Sequence, residues 1–346
     1  MGNPEKERII EFIEQGRPKT TVTATGRRED GAPFTLRAKT SGGRARANLK
    51  VQEGCNMACS YCIIPMARGA SKSLPVEDII AELDALVERG YREVILTGIH
   101  LGAWGVDLSP PSTLTGLMET IEAQGYPCRF RLSSLDPDEV TDELIGLLKG
   151  SRSICNHLHI ALQSGDDAII RMMKRPYGSH LFTGRVRAAL KNIPGLSIGV
   201  DVIAGFPGEG EEEFESTFKV LKDLPLSYLH IFPYSKRRGT AAEGYAGQVD
   251  PKTIKERCAK LKTLDEEKRM EFYGRFAGQD AEVLVEAVRD KQTGLLKGRA
   301  RNYIPVLFYG PDSLMRTVAA VRLETCTAEG MRGVFEEEKH EKTSLA

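Results

Sequence analysis

The stretch Val51–Gly69, VQEGCNMACSYCIIPMARG, gathers three of the chain's seven cysteines, Cys55, Cys59 and Cys62, within eight residues. Their spacing is C-x3-C-x2-C. Three thiolates on one tight loop can take three corners of a cubic iron–sulfur cluster, which leaves one iron open to a substrate or cofactor. A structural zinc site is the competing reading. Such a site wants four ligands, commonly from two Cys-x2-4-Cys pairs, and Cys128, Cys155, Cys258 and Cys326 are scattered without forming a second pair. Three unconnected buried thiols are the remaining alternative.

Working outward, ANLKVQ (47–52) reads as a short strand running into the cysteine loop. PVEDIIAELDALVERG (75–90) reads as a helix, with Pro at its start, Gly at its end and Val76, Ile79, Ile80, Leu83 and Val87 on one face. The alternation then continues with strands at 93–98, 129–134, 157–162, 196–205 and 227–232, separated by helices at 114–124, 138–149, 166–173, 180–192 and 211–223. Six strands separated by helices imply a parallel sheet, either a barrel or a doubly wound fold. A long charged helix follows at 251–276, and then short strands with turns over 278–335 suggest a small all-β barrel. Residues 5–15 have helical spacing, 19–46 read as linker, and the tail 336–346 reads as disordered.

Polar and glycine residues gather where the strands end, the edge at which parallel barrels build their sites. They are Thr97, Gly98 and His100; Ser133, Ser134 and Asp136; Gln163, Ser164 and Gly165; Asp201 with Gly205–Glu209; and Pro233–Ser235. Each position has a plain reading as a turn or helix cap, most of all Asp136, which precedes Pro137. His157 and His159 alternate along one strand and read as a packed or hydrogen-bonded face.

Lys plus Arg and Asp plus Glu number 48 each, so only local clustering can speak for nucleic acid. Residues 171–191 hold six Lys/Arg and no acid; Lys236, Arg237 and Arg238 follow the last barrel strand. Arg289, Lys291, Lys297, Arg299 and Arg301 sit near Tyr303. Basic side chains mixed with aromatics suit a phosphate backbone and unstacked bases, although a solvated face has the same composition. The odd cysteine count, without a secretory segment or an apolar run of membrane length, points to a reducing cytoplasm.

CNMACSYC, with Tyr61 just before the last cysteine, resembles the signature of the radical S-adenosylmethionine (SAM) superfamily. CIIPMARG, ILTGIHLGAWG, LSSLDP, LQSGDD, MKRPY, DVIAGFPGEGEEEF and FPYSKRRGTAA follow in that order. Together they resemble the radical SAM methylthiotransferases, and TGIHLG is most similar to the branch acting on N6-threonylcarbamoyladenosine in tRNA. GLLKGRARNYIPVLFYG (294–310) looks like the family's RNA-binding TRAM domain. The resemblance implies an α/β fold: a partial (βα)6 TIM-like barrel over 47–250, a connecting helix over 251–277 and an OB-like TRAM barrel over 278–335.

It further implies that Cys55, Cys59 and Cys62 ligate a [4Fe-4S] cluster whose open iron binds SAM. Tyr61, Thr97, Gly98, Ser133, Ser134, Gln163 and Asp201 would surround SAM. Arg68, Lys174, Arg175, Arg237, Arg299 and Arg301 would meet RNA, with Arg68 alternatively bridging to SAM or forming a surface ion pair. The expected partners are a tRNA anticodon loop and an electron donor such as flavodoxin or ferredoxin. The family carries a further N-terminal domain with three cysteines and an auxiliary cluster. Cys55 is the first cysteine here, so a fragment or a shortened homologue is expected, and sulfur insertion is the least supported part. The alternatives are methylthiolation of isopentenyladenosine tRNA or a ribosomal protein, and a non-enzymatic RNA-binding protein with structural zinc.

Overall fold

A computed structural model describes residues 45–335. The helix expected at 5–15, most of the expected linker and the tail from 336 lie outside these residues. β1 (Arg46–Lys50) leads into β2 (Gln52–Glu53), which pairs antiparallel with β3 (Lys72–Ser73). This small ribbon closes the cysteine loop at its base, and the short helix α1 (Ile64–Arg68) lies within the loop. Gly54 follows directly. It has φ 72°, and a Cβ there would lie 1.9 Å from the Ala70 carbonyl oxygen. The chain's two limbs pass so closely at this point that no side chain fits.

The alternation runs α2 (Val76–Glu88), β4 (Glu93–Thr97), α3 (Leu114–Ala123), β5 (Arg129–Leu132), α4 (Asp142–Gly150), β6 (His157–Gln163), α5 (Asp167–Met172), α6 (Ser179–Asn192), β7 (Ser197–Ala204), α7 (Glu211–Asp223) and β8 (Tyr228–Pro233). α2 buries Ile79, Leu83 and Leu86 at helical spacing against the sheet. The helix expected from 138 starts later. Thr141 accepts the Leu144 amide at 3.2 Å as an N-cap, and Pro137–Glu139 form a separate 3-10 turn.

The strands form two parallel three-stranded sheets, β1–β4–β5 and β6–β7–β8. Parallel bridges from Phe130 to Ile154 and from Leu135 to Ile160 join them into one curved wall. Among the described residues β1 and β8 each pair on one side, so the barrel is partial. Leu49, Val94, Leu96, Phe130, Ile160, Val200 and Val202 belong to its buried core. No helix of the described residues is long and apolar enough to cross a membrane.

α8 (Pro251–Gly274), capped by Asp250, leads to β9 (Asp280–Val285), β10 (Leu296–Ala300), β11 (Pro305–Tyr309), β12 (Val318–Thr327) and β13 (Gly330–Phe335). These close into a five-stranded barrel in the order β10-β11-β13-β12-β9, antiparallel except for β11 with β13. Closure leaves no exposed strand edge. Val283, Val285, Leu296, Val306, Phe308 and Val321 fill it.

The small barrel is pinned to the N-terminal ends of the parallel strands. Glu93 is fully buried, and Arg129 Nε donates to its Oε2 at 2.6 Å, while Arg131 Nε donates to its Oε1 at 3.1 Å. The same guanidiniums reach across, from Arg129 to the Arg299 carbonyl at 2.8 Å and from Arg131 to the Arg301 carbonyl at 3.0 Å. Arg46 pairs with Glu286 at 2.8 Å. One buried carboxylate is thus shared by two arginines that also hold the second domain.

Glu93→Gln should cost about 3–5 kcal/mol in urea unfolding at neutral pH, because two buried guanidiniums lose their anion. Burial works against the Glu93 charge, but Arg131 and Arg129 outweigh it and hold the carboxyl at about 2, against an ordinary 4.5. Its stabilisation is therefore complete above pH 4.5 and is lost as pH falls through about 2. The Gln variant should lack this acid-labile component. Gly54→Val should open the cysteine loop, which would appear as loss of iron loading at unchanged far-UV circular dichroism.

Candidate functional site

Parallel pairing brings every strand's C-terminal end to one rim, and there a cavity of about 290 Å³ opens. Cys55, Cys59, Tyr61, Cys62, Gly98, Ser133, Ser134, Gln163 and Asp201 all line it. His100, Asp136 and Arg175 line it as well. Thr97 does not: its hydroxyl donates to the Leu49 carbonyl at 3.3 Å within the sheet, and the residues that follow it turn into the cavity.

Each element aims its residues for a local reason. Gln52 is fully buried; its amide nitrogen donates to the Gly54 carbonyl at 2.9 Å, and its Oε1 accepts the His100 amide at 2.8 Å. It joins the base of the cysteine loop to the loop after β4. Gln163 ends β6 at a register shift with φ 66°, a left-handed conformation uncommon for a side chain of this kind. Asp166 then caps α5 by accepting the Ala168 amide at 2.9 Å and the Ile169 amide at 3.0 Å. The end of that helix is tied to the cysteine loop, with the Ser60 amide donating to Met173 at 3.0 Å and the Ser60 hydroxyl to Met172 at 2.8 Å. Arg175 comes out beside the thiols as a result.

Arg175 corrects the sequence expectation. Rather than facing RNA, its side chain is only 7% exposed; it donates to Cys59 Sγ at 3.2 Å and to Tyr177 at 2.8 Å, and it pairs with Asp136. Asp136 does cap the turn after it, as expected, but it also serves the cavity. Arg68 takes the ion-pair alternative, with Glu53 at 3.0 Å. Arg299 and Arg301 are corrected too. Arg301 donates to the Arg152 carbonyl at 2.7 Å and to the Ile154 carbonyl at 2.9 Å. Arg299 lies over the Tyr303 ring at 4.2 Å, and Arg131 lies over that ring at 4.8 Å. These residues bind the two domains together. Lys174 and Arg237 are exposed on segments packed on the cysteine loop, and the Ala242 amide donates to Ser60 at 2.8 Å.

His100 was placed at the strand-end rim from sequence, without a role; Glu139 was not. The His100 Nδ1 lies 3.8 Å from Cys55 Sγ, and its Nε2 lies 2.5 Å from Glu139 Oε1. Burial opposes the ring's charge, but Cys55 and Glu139 outweigh it and raise the imidazole to about 10. Burial also pushes the Cys55 thiol up, yet His100 and the Met57 amide bring it below its ordinary value. Burial raises Cys62. Asp201 is raised by burial, but His159 at 2.8 Å and His230 at 3.5 Å hold it at about 2. Behind it, the Tyr228 hydroxyl lies 3.1 Å from His159 and 2.8 Å from His157, so those two histidines form the hydrogen-bonded face expected. Glu139 was discoverable as the third residue after the cap Asp136; nothing in the sequence marked its meeting with His100.

The donor set suits a cluster. Among the described residues, His159–Asp201–His230 and His100–Asp136–Glu139 are close enough to share one ion, within 4.8 Å, and the three thiols do not form such a group. Sulfurs bound to a single zinc would sit closer together, since each bond is about 2.3 Å. The buried Ser133 Oγ faces the same cavity without a hydrogen-bond partner, which suits a polar ligand. Cys128, Cys155, Cys258 and Cys326 are free and do not line it.

The family model of the radical SAM superfamily matches residues 49–221. The threonylcarbamoyladenosine tRNA methylthiotransferase MtaB of Bacillus subtilis (strain 168) is 35% identical over 329 residues, covering 93% of this chain and 72% of that protein. The MtaB of Aquifex aeolicus (strain VF5) is 38% identical, covering 82% of this chain and 70% of that protein. The tRNA-2-methylthio-N(6)-dimethylallyladenosine synthase of Desulfitobacterium hafniense (strain Y51) is 32% identical, covering 97% and 74% respectively. With its three thiols at the rim of a partial parallel barrel and these relatives matched over most of its length, the chain belongs to the radical SAM superfamily and, within it, to the MtaB-like methylthiotransferase family.

Proposed function

We propose that this chain carries out the radical SAM chemistry of tRNA methylthiolation, acting in the cytoplasm on N6-threonylcarbamoyladenosine beside the anticodon, at adenine carbon 2. The observation that carries the reading is the meeting of Cys55, Cys59 and Cys62 with Gly98, Ser133, Ser134, Gln163 and Asp201 around one cavity. The three cysteines would hold a [4Fe-4S] cluster, which when bound supplies the electron that cleaves SAM to a 5′-deoxyadenosyl radical.

This chain's own residues do the positioning. Gly98 packs its backbone against Gln52 and Leu101, where a Cβ would lie 2.9 Å from Gln52 Oε1 and from Leu101 Cα, and Ser133 and Gln163 offer hydrogen bonds. Asp201, kept ionised by its two histidines, accepts from hydroxyl groups. Arg175 places a fixed positive charge beside Cys59, where a carboxylate can share it.

In the same reading residues 47–250 form the radical SAM core, 251–277 the connecting helix and 278–335 a TRAM-like barrel. Lys174 and Lys236–Arg238 are exposed around the cysteine loop and suit tRNA phosphates. The adenosine has to leave the anticodon-loop stack to reach the rim. A flavodoxin- or ferredoxin-type protein supplies the electron.

Anaerobic reconstitution followed by reduction with SAM present should give 5′-deoxyadenosine, and Cys59→Ala should abolish both iron loading and this product. A chain that loads stoichiometric zinc and turns over no SAM would refute the reading. Mass spectrometry of tRNA nucleosides from a deletion strain should show loss of the methylthio group from threonylcarbamoyladenosine; loss from dimethylallyladenosine instead would move the substrate to the other branch.

A further inference from the structure

We infer that His159, Asp201 and His230 form a binding site for a divalent transition-metal ion across β6, β7 and β8, separate from the three thiols. The site stands apart from the cluster reading above, in which the two histidines serve only to hold Asp201.

Three neighbouring strands bring the ligand atoms together. Asp201 on β7 and His230 on β8 are direct partners in the parallel register. His159 on β6 is the partner of Gly199, two residues before Asp201 and so on the same face of the sheet. The His159 Nε2 lies 2.8 Å from Asp201 Oδ1, and the His230 Nδ1 lies 3.5 Å from the same oxygen. All three ligand atoms fall within 4.8 Å of one another. Zinc bonds to imidazole and carboxylate are about 2.1 Å long, so these two separations correspond to angles of roughly 85° and 110° at a shared ion.

The residues behind the ligands are built to support them. A Cβ on Gly199 would lie 2.1 Å from the Tyr228 ring, so only glycine lets that ring lie against β7. The Tyr228 hydroxyl then reaches the His159 Nδ1 at 3.1 Å. With an ion on Nε2, Nδ1 carries the ring hydrogen and donates it to this hydroxyl. Such a second partner fixes the tautomer and the orientation of a metal-bound imidazole. The hydroxyl in turn donates to the His157 Nε2 at 2.8 Å.

Burial is graded across the site. The side chains of His159, Asp201 and His230 are 6%, 16% and 50% exposed. An ion is anchored on the buried side and keeps positions open to water, or to a polar group of a substrate, on the side of His230. Both histidine contacts use Oδ1, so Oδ2 keeps the role toward SAM assigned above. Two imidazoles and one carboxylate suit a borderline ion such as zinc, and they suit magnesium or calcium poorly because those ions favour oxygen throughout.

The test is zinc binding to the full chain with its cluster assembled anaerobically, so that iron occupies the thiols. After dialysis against EDTA the chain is titrated with zinc, and bound metal is counted by mass spectrometry after gel filtration. The unaltered chain should take up one zinc beyond its iron. His230→Ala, at a half-exposed position, and Asp201→Asn should each weaken binding by about 100-fold, and Tyr228→Phe, which keeps the ring, by about 10-fold. No uptake by the unaltered chain overturns the assignment, and so does uptake that His230→Ala and Asp201→Asn leave unchanged. Zinc lost in Glu139→Gln but kept in His230→Ala would put the ion on His100, Asp136 and Glu139 and overturn it as well. An unaltered chain that assembles no cluster sinks the function proposed above; the zinc site is then decided by the same titration on the full chain carrying Cys55→Ser, Cys59→Ser and Cys62→Ser.

Discussion

Parallel strand pairing is the constraint on which the molecule depends. It sends every loop that follows a strand to the same rim, so groups from widely separated segments between residues 55 and 201 meet around one cavity. The cysteine loop could not contribute without its own closure. The two-residue ribbon β2–β3, Gly54 and the buried Gln52 pull its base shut, and Ser60 anchors its far side to the end of α5. The thiols are thus carried on a pre-shaped loop supported by rigid elements, which reduces the ordering needed when a cofactor binds.

The opposite end of the strands has another task. There Glu93 accepts from Arg129 and Arg131, and the two guanidiniums also donate to carbonyls of the small barrel. An isolated guanidinium in this position would be too costly to bury; a shared carboxylate with further carbonyl acceptors makes it tolerable. Chemistry at one rim and attachment at the other leave the rim accessible to a large substrate.

Between these ends the interior of β6–β8 is polar where an ordinary core would be aliphatic. His157, His159, Tyr228 and Asp201 form a continuous hydrogen-bonded array, with the Tyr303 ring tilted against His157 at 4.6 Å. Such an array is stable when its members satisfy one another, and it holds Asp201 in one orientation at the cavity wall.

The sequence by itself determined the strand–helix alternation, the small β segment and the three-cysteine loop. Burial periodicity and ligand spacing are local properties, legible over a few residues; the first and last residues of most elements fall within a few positions of those expected. It also pointed to the strand ends where Gly98, Ser133, Gln163 and Asp201 converge. Only the tertiary structure decided what each charged side chain does. Arg175, Arg299 and Arg301 sit in basic stretches that suit RNA, yet their partners are Cys59 and Asp136, Tyr303, and the Arg152 and Ile154 carbonyls. His100 and Glu139, and Glu93 with Arg131, likewise meet across 39 and 38 positions of sequence. Long charged side chains find partners wherever folding brings an opposite charge or a free carbonyl, and local composition holds no record of that meeting.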